Sequence, residues 1–234
     1  MFLINPYRFA TWASNWLLNN LVSYYKCDTN GSFPDAHWSN DWTISWATYT
    51  ASWKINWWYS FDWTNDYISI PDNAWLRPWT WDFARSIWIN TTATATKIAM
   101  SKGQISSWSW DYVSIITYDT WVVWFRLSDW TTLVEPKSTT LINDWNWHHI
   151  VWYRSWTTAY LYVDNVLEQS LWSAWYNLDN TAPLVIGNFS YLNASLYFSW
   201  IQDEIWIWNS WLDATKISDI YNWWAWLSYD NFTT

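Results

Sequence analysis

The sequence predicts an all-β protein: an antiparallel sandwich of two sheets, with one short helix near the C-terminus. Short runs rich in Val, Ile, Tyr, Thr and Phe recur from Leu21 onward, and turn residues separate them at a spacing of roughly 8–12 residues. This spacing favours a sandwich over a βαβ fold, in which strands alternate with helices. The 234 residues are enough for one sizeable core.

The first 20 residues lack clean periodicity and are predicted to form an N-terminal arm. Strands are then predicted at 21–26, 59–61, 67–70, 84–90, 97–101, 112–118, 122–128, 148–153, 159–163, 184–186 and 196–208. Residues 160–167 are typical of a hairpin with Asp164 and Asn165 at its turn. Strand alternation places Ala159, Leu161 and Val163 on one face, and Tyr160 and Tyr162 on the other.

Residues 212–222 carry the one helix signal. Asp213 is a suitable N-terminal cap, and Ile217, Ile220 and Tyr221 form an apolar stripe at helical spacing. The helix is followed by Asn222 and two tryptophans, where glycines would make a normal helix stop.

Tryptophan and glycine are present in unusual numbers. The chain has 31 tryptophans and three glycines, whereas an average domain has about 7 % glycine. Many of the tryptophans follow Asp, Asn or Ser, in dipeptides where glycine normally forms the turn because it alone enters positive φ without steric cost. We interpret 28 of the 31 tryptophans as glycines and keep Trp88, Trp147 and Trp208 as genuine.

A difference in decoding explains the exchange. Some bacterial lineages and their viruses read the codon UGA as glycine, whereas a common alternative table reads UGA as tryptophan. A gene from such a source, translated with the wrong table, would give this sequence. The competing interpretation is a true tryptophan-rich binder that stacks aromatic ligands. It predicts tryptophans at alternating strand positions, whereas most of them fall between the predicted strands.

Charge and cysteine content exclude several classes of partner. The net charge is −9, and the few Lys and Arg residues are scattered, which argues against nucleic acid and anionic membranes. The single cysteine, Cys27, excludes an intrachain disulfide and is expected to be a small buried side chain. We expect no signal peptide and no membrane insertion, so the chain is made in the cytoplasm and acts there, on a virus particle or outside the cell.

Six segments together carry a family resemblance: 21–26, 52–71, 86–90, 146–151, 159–164 and 203–209. With glycine restored, the chain from 21 to 228 resembles the laminin-G-like, concanavalin A-type jelly-roll domains. The family pattern has an aromatic residue at Trp88, Trp147 and Trp208, and has glycine where this chain has Trp53, Trp63, Trp145, Trp200 and Trp206. The resemblance implies a jelly-roll domain over 21–228, preceded by the arm and followed by a short tail at 229–234. The first residues of the arm also resemble the opening of bacteriophage virion proteins.

The resemblance implies Ca²⁺ as a cofactor, because domains of this kind often hold it with carboxylates and carbonyls. Asp28 and Asp203 are the candidate ligands, since the family's terminal strands would bring them together. The alternative is a solvated Asp28 and an Asp203 that accepts backbone hydrogen bonds. Asp62, Asn65 and Asp66 form a second acidic cluster, which is expected to be the polar tip of a turn.

Other candidate groups have structural interpretations. His148 and His149 are adjacent at a strand start, so one is expected to face the core and one to be exposed. Trp88, Trp147 and Trp208 are expected to fill the space between the sheets. Sugar contacts are expected from loop residues such as Tyr118, Asn188 and Tyr191.

The function expected from these features is a non-enzymatic binding module for a glycan or a cell-surface protein. Virion adhesion or decoration, with residues 1–20 as the attachment segment, is the context that the arm implies. Two alternatives remain open: a purely structural virion component, and a glucanase-type glycosidase. The glycosidase needs two carboxylates flanking one bond, whereas the adjacent Asp203 and Glu204 would point to opposite faces of a strand.

Overall fold

The computed structural model describes residues 17–27, 34–51, 57–103, 112–129, 131–173 and 177–223, and shows the predicted sandwich of two antiparallel sheets. The predicted tail and residues 1–16 of the predicted arm lie outside the described residues. The eight-stranded sheet contains β1 (Leu21–Tyr25), β3 (Thr48–Ala51), β4 (Trp57–Asp62), β6 (Phe83–Asn90), β11 (Trp147–Ser155), β12 (Thr158–Val163), β13 (Val166–Trp172) and β15 (Ser199–Trp208). The seven-stranded sheet contains β2 (Thr43–Ser45), β5 (Tyr67–Ile70), β7 (Lys97–Gly103), β8 (Tyr112–Thr117), β9 (Val123–Ser128), β10 (Leu133–Val134) and β14 (Leu184–Ile186).

The order of strands sets which residues become neighbours. The larger sheet runs β13-β12-β11-β6-β15-β4-β3, with β1 also paired to β15, and the smaller sheet runs β10-β9-β8-β7-β14-β5-β2. Two predicted strands, 67–70 and 184–186, agree with the structure to the residue. The strands β2, β3 and β10 were not predicted.

The main core lies between the two sheets and is built from alternate strand positions. Val113 and Ile115 of β8 face Ile87 and Ile89 of β6 across it, as period-two alternation requires. Cys27 is buried in the same core, which agrees with the prediction.

A second core covers the outer face of the eight-stranded sheet. Helix α1 (Ala214–Trp223) packs Ile217 and Ile220 onto Tyr24, Val151 and Trp206 of the sheet. The predicted cap is confirmed, because the Asp213 carboxylate accepts a hydrogen bond from the backbone N–H of Lys216 at 2.9 Å. Among the described residues, no helix is long and apolar enough to cross a membrane.

The three tryptophans kept as genuine lie on this outer face and not between the sheets. Trp208 is buried in the second core, and its indole N–H donates to the Leu17 carbonyl at 2.9 Å. Trp88 is buried and stacks on Tyr221 of α1 at 5.8 Å. Trp147 is the first residue of β11 and is only half-buried. The expected location was wrong because it ignored the helix, which gives the larger sheet two buried faces.

The predicted hairpin is confirmed in its turn and in its faces. Asp164 and Asn165 have φ of 50° and 67°, as a two-residue hairpin turn requires. Leu161 and Val163 enter the main core, whereas Tyr162 joins the second core on the opposite face.

Tryptophan dominates the backbone positions that favour glycine. Thirteen described residues other than glycine have positive φ, and seven of them are tryptophans: Trp46, Trp63, Trp79, Trp121, Trp145, Trp156 and Trp200. Trp200 has φ of 88°, and the true glycine Gly187 has φ of 89°. Positive φ is uncommon for any residue with a side chain, and a bulky side chain makes it an outlier. Trp88, Trp147 and Trp208 are not in this group.

Some tryptophans interpreted as glycine are nevertheless buried. Trp42 and Trp152 lie in the main core, and Trp206 stacks on Tyr24 at 3.8 Å in the second core. None of the three has positive φ. The backbone therefore calls for glycine at seven positions, whereas at these three the indoles are packed.

Candidate functional site

The outer face of the seven-stranded sheet carries a separate aromatic cluster. Along β8, Val113 and Ile115 enter the core, so Tyr112 and Ile116 face outward. These two side chains pack with Ile98 and Phe189 into a small cluster of their own. Tyr118, which follows β8, and Leu196 pack against its margin.

A loop at residues 187–198 folds over this face and supplies its second half. The Asn188 side chain holds the loop, because its oxygen accepts from the N–H of Phe189 at 2.7 Å and its nitrogen donates to the Asn193 carbonyl at 3.1 Å. Phe189 then meets Tyr112 edge-on at 6.0 Å and stacks on Tyr191 at 5.2 Å. Asn188 is fully buried. Asn188 therefore positions the loop. The sequence predicted that Asn188 contacts a sugar, but its burial prevents such a contact.

An ion pair lies beside the tyrosines. Arg126 on β9 contacts Glu135 at 2.5 Å, and its guanidinium lies 6.0 Å from the Tyr112 ring centre. Burial raises the pKa of Tyr112, and the nearby groups Glu135, Tyr118 and Tyr191 raise it further. The positive charge of Arg126 lowers this pKa, but the net shift is upward. The Tyr112 phenol therefore stays protonated at neutral pH, and its side chain is buried. We call Tyr112, Tyr118, Tyr191, Arg126 and Glu135 the tyrosine surface.

One tryptophan interpreted as glycine lies at the edge of the tyrosine surface. Trp124 of β9 stacks on Tyr118, with ring centres 3.9 Å apart and planes 24° apart. The Lys137 ammonium also lies over this indole, 3.5 Å from the Trp124 ring centre. Trp124 is half-buried and Lys137 is exposed. Ring faces, fixed donors and a cation thus converge on one side of the sandwich, an arrangement suited to holding a polar ligand with apolar faces.

The predicted metal ligands do not form a site among the described residues. Asp28 lies outside them, and Asp203 is buried in β15, where its carboxylate accepts from the Glu204 backbone N–H at 2.8 Å. This is the alternative that the sequence left open for Asp203. Within the described part of the chain, no group of three or more His, Cys, Asp or Glu residues could hold a metal. The calcium site therefore stays a prediction that depends on Asp28.

The second acidic cluster forms a turn, as expected. The Asp62 carboxylate accepts from the N–H of Thr64 at 2.9 Å, and the Asp66 carboxylate accepts from the N–H of Asp62 at 2.8 Å. Trp63, in the middle of this turn, has φ of 60°. These carboxylates are used to shape the backbone.

Both histidines are buried, so the expectation that one would be exposed was wrong. His148 lies between Asp164 at 2.7 Å and Asp144 at 3.0 Å. Burial lowers the pKa of His148, but the hydrogen bonds to both carboxylates outweigh burial and leave it above the usual value. His149 lies flat against Trp88 at 4.8 Å, and burial lowers its pKa to about 3. The packing of α1 on this face explains why the second histidine is covered.

A cavity of about 440 Å³ lies at the loop of residues 74–82. Trp75, Trp79 and Trp81 form much of its wall. All three are interpreted as glycines, and Trp79 has φ of 43°. Because the indoles shape this cavity, it is a weaker candidate than the tyrosine surface, where all five defining residues are independent of the decoding.

Several solved structures are similar to this chain in fold. No protein-family model and no curated protein sequence matches the chain. The binding domain of Paraclostridial Mosquitocidal Protein 1 is similar at TM-score 0.71 and 13% identity, over 88% of this chain and 52% of that domain. The receptor binding domain of botulinum neurotoxin D is similar at TM-score 0.68 and 10% identity, over 88% and 53%. This chain thus spans about half the length of the toxin domains.

One similar structure matches over nearly its whole length. Domain 4 of AbnA, an extracellular GH43 arabinanase from Geobacillus stearothermophilus solved in complex with arabinotriose, has TM-score 0.68 and 16% identity. The match covers 86% of this chain and 98% of that domain. At these identities the similarity establishes the shared sandwich fold.

Proposed function

We propose that this chain is a non-catalytic glycan-binding module and that the glycan lies on the tyrosine surface. The observation that carries the proposal is the half-buried Tyr118 and the exposed Tyr191, which lie near the buried Tyr112 and beside the Arg126–Glu135 ion pair. Aromatic rings stack on the C–H faces of sugar rings, and fixed charged groups bond the hydroxyls that project around them. A surface that presents both suits a sugar chain better than a purely apolar ligand.

The similar structures support a binding role of this kind. One of them is an arabinanase domain in complex with arabinotriose, one is the binding domain of a mosquitocidal protein, and one is the receptor binding domain of a botulinum neurotoxin. Because one fold serves many functions, the argument rests on the site and not on the fold. The similar structures make binding, rather than catalysis, the first function to test.

The acidic residues of β15 support a non-catalytic module. The Asp203 carboxylate bonds the Glu204 backbone, and the Glu204 carboxylate accepts from the Tyr24 hydroxyl. A retaining glycosidase needs two carboxylates about 5–5.5 Å apart on either side of the scissile bond. Asp203 and Glu204 are instead used inside the sheet, so they do not form such a pair.

The functional protein carries glycine at 28 of the 31 tryptophan positions in this proposal. We call this form the glycine chain; it retains only Trp88, Trp147 and Trp208. Seven tryptophans at positive φ support it. Trp152 does not add to this support: its indole nitrogen is buried without an acceptor among the described residues, but its ring is packed in the main core.

A glycan array with the glycine chain tests the proposed function. The informative variant is Y191A, because Tyr191 is 38% exposed and its truncation should leave the fold intact. The matched control is Y160A, on the outer face of the other sheet, where Tyr160 stacks on Tyr153 at 4.6 Å. We expect glycan binding that falls with Y191A and survives Y160A. Absence of binding to every glycan, or equal losses in both variants, would contradict the proposal.

The same array tests the calcium prediction. Glycan binding that disappears in EDTA and returns with added Ca²⁺ would support a metal held with Asp28 and Asp203. Binding that is unchanged in EDTA would leave the tyrosine surface as a metal-independent site. The two results thus distinguish glycan binding that needs Ca²⁺ from glycan binding that does not.

A further inference from the structure

The indole of Trp124 occupies a slot whose walls suit a ligand ring. Tyr118 forms one wall at 3.9 Å from the indole, and the Lys137 ammonium forms the other at 3.5 Å. Both distances are normal stacking and cation–π separations for a single ring. Glycine at position 124 would leave a gap one ring thick between the two walls.

Lys137 would lose its partner in that gap. Among the described residues, the ammonium of Lys137 makes no ion pair, and it lies over the Trp124 ring. The indole nitrogen of Trp124 is itself buried without an acceptor in the same part of the chain. The slot thus accepts the ring of the indole but not its N–H, and Lys137 loses its cation–π contact when the indole is absent.

The backbone holds the Lys137 wall in place. Residue 137 pairs with residue 124 across an antiparallel bridge, and its N–H donates to the Gln169 side chain at 2.8 Å. The Glu168 carboxylate accepts from the N–H of Thr139 at 2.7 Å. Because these bonds do not involve the indole, the backbone of Lys137 should keep its place beside residue 124 when that residue is glycine.

We propose that the slot binds a sugar ring that carries a carboxylate, so the module recognises acidic glycans. The ring stacks on Tyr118 and the carboxylate pairs with Lys137. This inference rests on the proposed function and extends it, because the slot adjoins the tyrosine surface. An ammonium that makes no ion pair within the described part of the chain complements a ligand anion, and the ring-thick gap admits a sugar between the two walls.

Two acidic probes and their uncharged counterparts test the charge requirement. Trigalacturonic acid and 3′-sialyllactose are titrated into the glycine chain by calorimetry, each beside its methyl ester. We expect at least one acid to bind, and its methyl ester to bind at least tenfold more weakly. Equal affinity for acid and ester would overturn the assignment of a carboxylate.

Three variants test the location. The glycine chain with Trp124 retained should lose at least tenfold in affinity, because the indole fills the slot. Y118A and K137Q should each do the same, whereas retaining Trp63 in its distant turn should not. Melting curves for each variant show that it is folded. Acid binding that none of the three slot variants changes would overturn the location.

The outcomes also separate this inference from the proposed function. Neutral glycans that bind through Tyr191, with no response to K137Q or to retained Trp124, would overturn the slot and leave the glycan module standing. Binding of aromatic-rich peptides that Y118A abolishes, with no acidic sugar bound, would assign the slot to a protein partner and overturn the sugar.

Discussion

The position of Trp156 allows the strain of a misplaced side chain to be measured. Trp156 lies in the turn between β11 and β12 with φ of 53°, and its side chain is 68% exposed. A residue with a side chain costs roughly 1–2 kcal/mol in this left-handed conformation. Glycine relieves this strain, but it loses more conformational entropy on folding, which reduces the gain by roughly 0.5–1 kcal/mol. We therefore expect W156G to stabilise the chain by about 0.5–1 kcal/mol.

Trp172 provides a matched control. Its side chain is equally exposed, at 70%, but it lies in the extended strand β13. Glycine in a strand loses β-propensity on a scale that spans about 1 kcal/mol. W172G should therefore destabilise the chain, although the two substitutions remove the same exposed indole. At about 2–4 °C per kcal/mol for a chain of this length, the two melting temperatures should move in opposite directions.

Two further substitutions at Trp156 separate the backbone from the indole. W156A removes the indole but keeps the strain, and W156N introduces a residue that tolerates positive φ. We expect W156G to be the most stable of the three variants and W156N the next. W156A should be little more stable than the chain with Trp156. The hydrogen bond from the residue 156 N–H to Asp82, at 2.7 Å, is available to all of them. Urea and thermal unfolding give the values. A gain with W156A as large as with W156G would refute the reasoning, since exposure and not φ would then be responsible.

Three other predictions concern individual groups. The pKa of His148 is raised, so its ion pairs stabilise the fold fully below pH 6.5 and lose that effect as the pH rises through the raised value. The difference in unfolding free energy between the unsubstituted chain and H148Q should therefore shrink toward alkaline pH. Burial lowers the pKa of Lys102 from 10.5 to about 8 despite its contact with Asp72. The unfolded state therefore binds this proton more tightly, and Lys102 contributes stability that rises between pH 8 and 10.5. In urea unfolding over this pH range, K102M should rise less steeply in stability than the unsubstituted chain. D213A should cost about 1 kcal/mol in urea unfolding because it removes the helix cap to Lys216, and D213N, which caps as well, should cost little.

The sequence predicted most of the fold because alternation and turn residues are local signals. The hairpin at Asp164 and the helix after Asp213 follow from a few neighbouring residues, and both are present. The position of that helix on the outer face of the larger sheet is a tertiary arrangement. No local pattern in Trp88 or His149 indicates that a helix will cover them, so their environment was predicted wrongly.

The candidate site was only partly predictable. Tyr118 and Tyr191 were named from their loop positions, and both lie on the tyrosine surface. Tyr112 and Arg126 carried a usable signal, since each occupies an outward position in an alternating strand. Glu135 and Lys137 carried none, because their place beside β9 depends on how the chain returns across the sheet.

The tryptophan positions show where dipeptide patterns succeed and where they stop. Asp-Trp at 62–63 and 144–145 and Ser-Trp at 155–156 all coincide with positive φ. At Trp152, by contrast, the indole is fully buried between the sheets. A local pattern predicts turn geometry, whereas the residue at a packed interior position depends on the whole core.

Sequencing the gene tests the proposed decoding most directly. We expect UGA at the 28 tryptophan positions interpreted as glycine, the buried Trp152 included, and UGG at Trp88, Trp147 and Trp208. UGG codons at the strained turn positions such as Trp63, Trp145 and Trp200 would show that the protein truly places indoles there. That result would contradict the account.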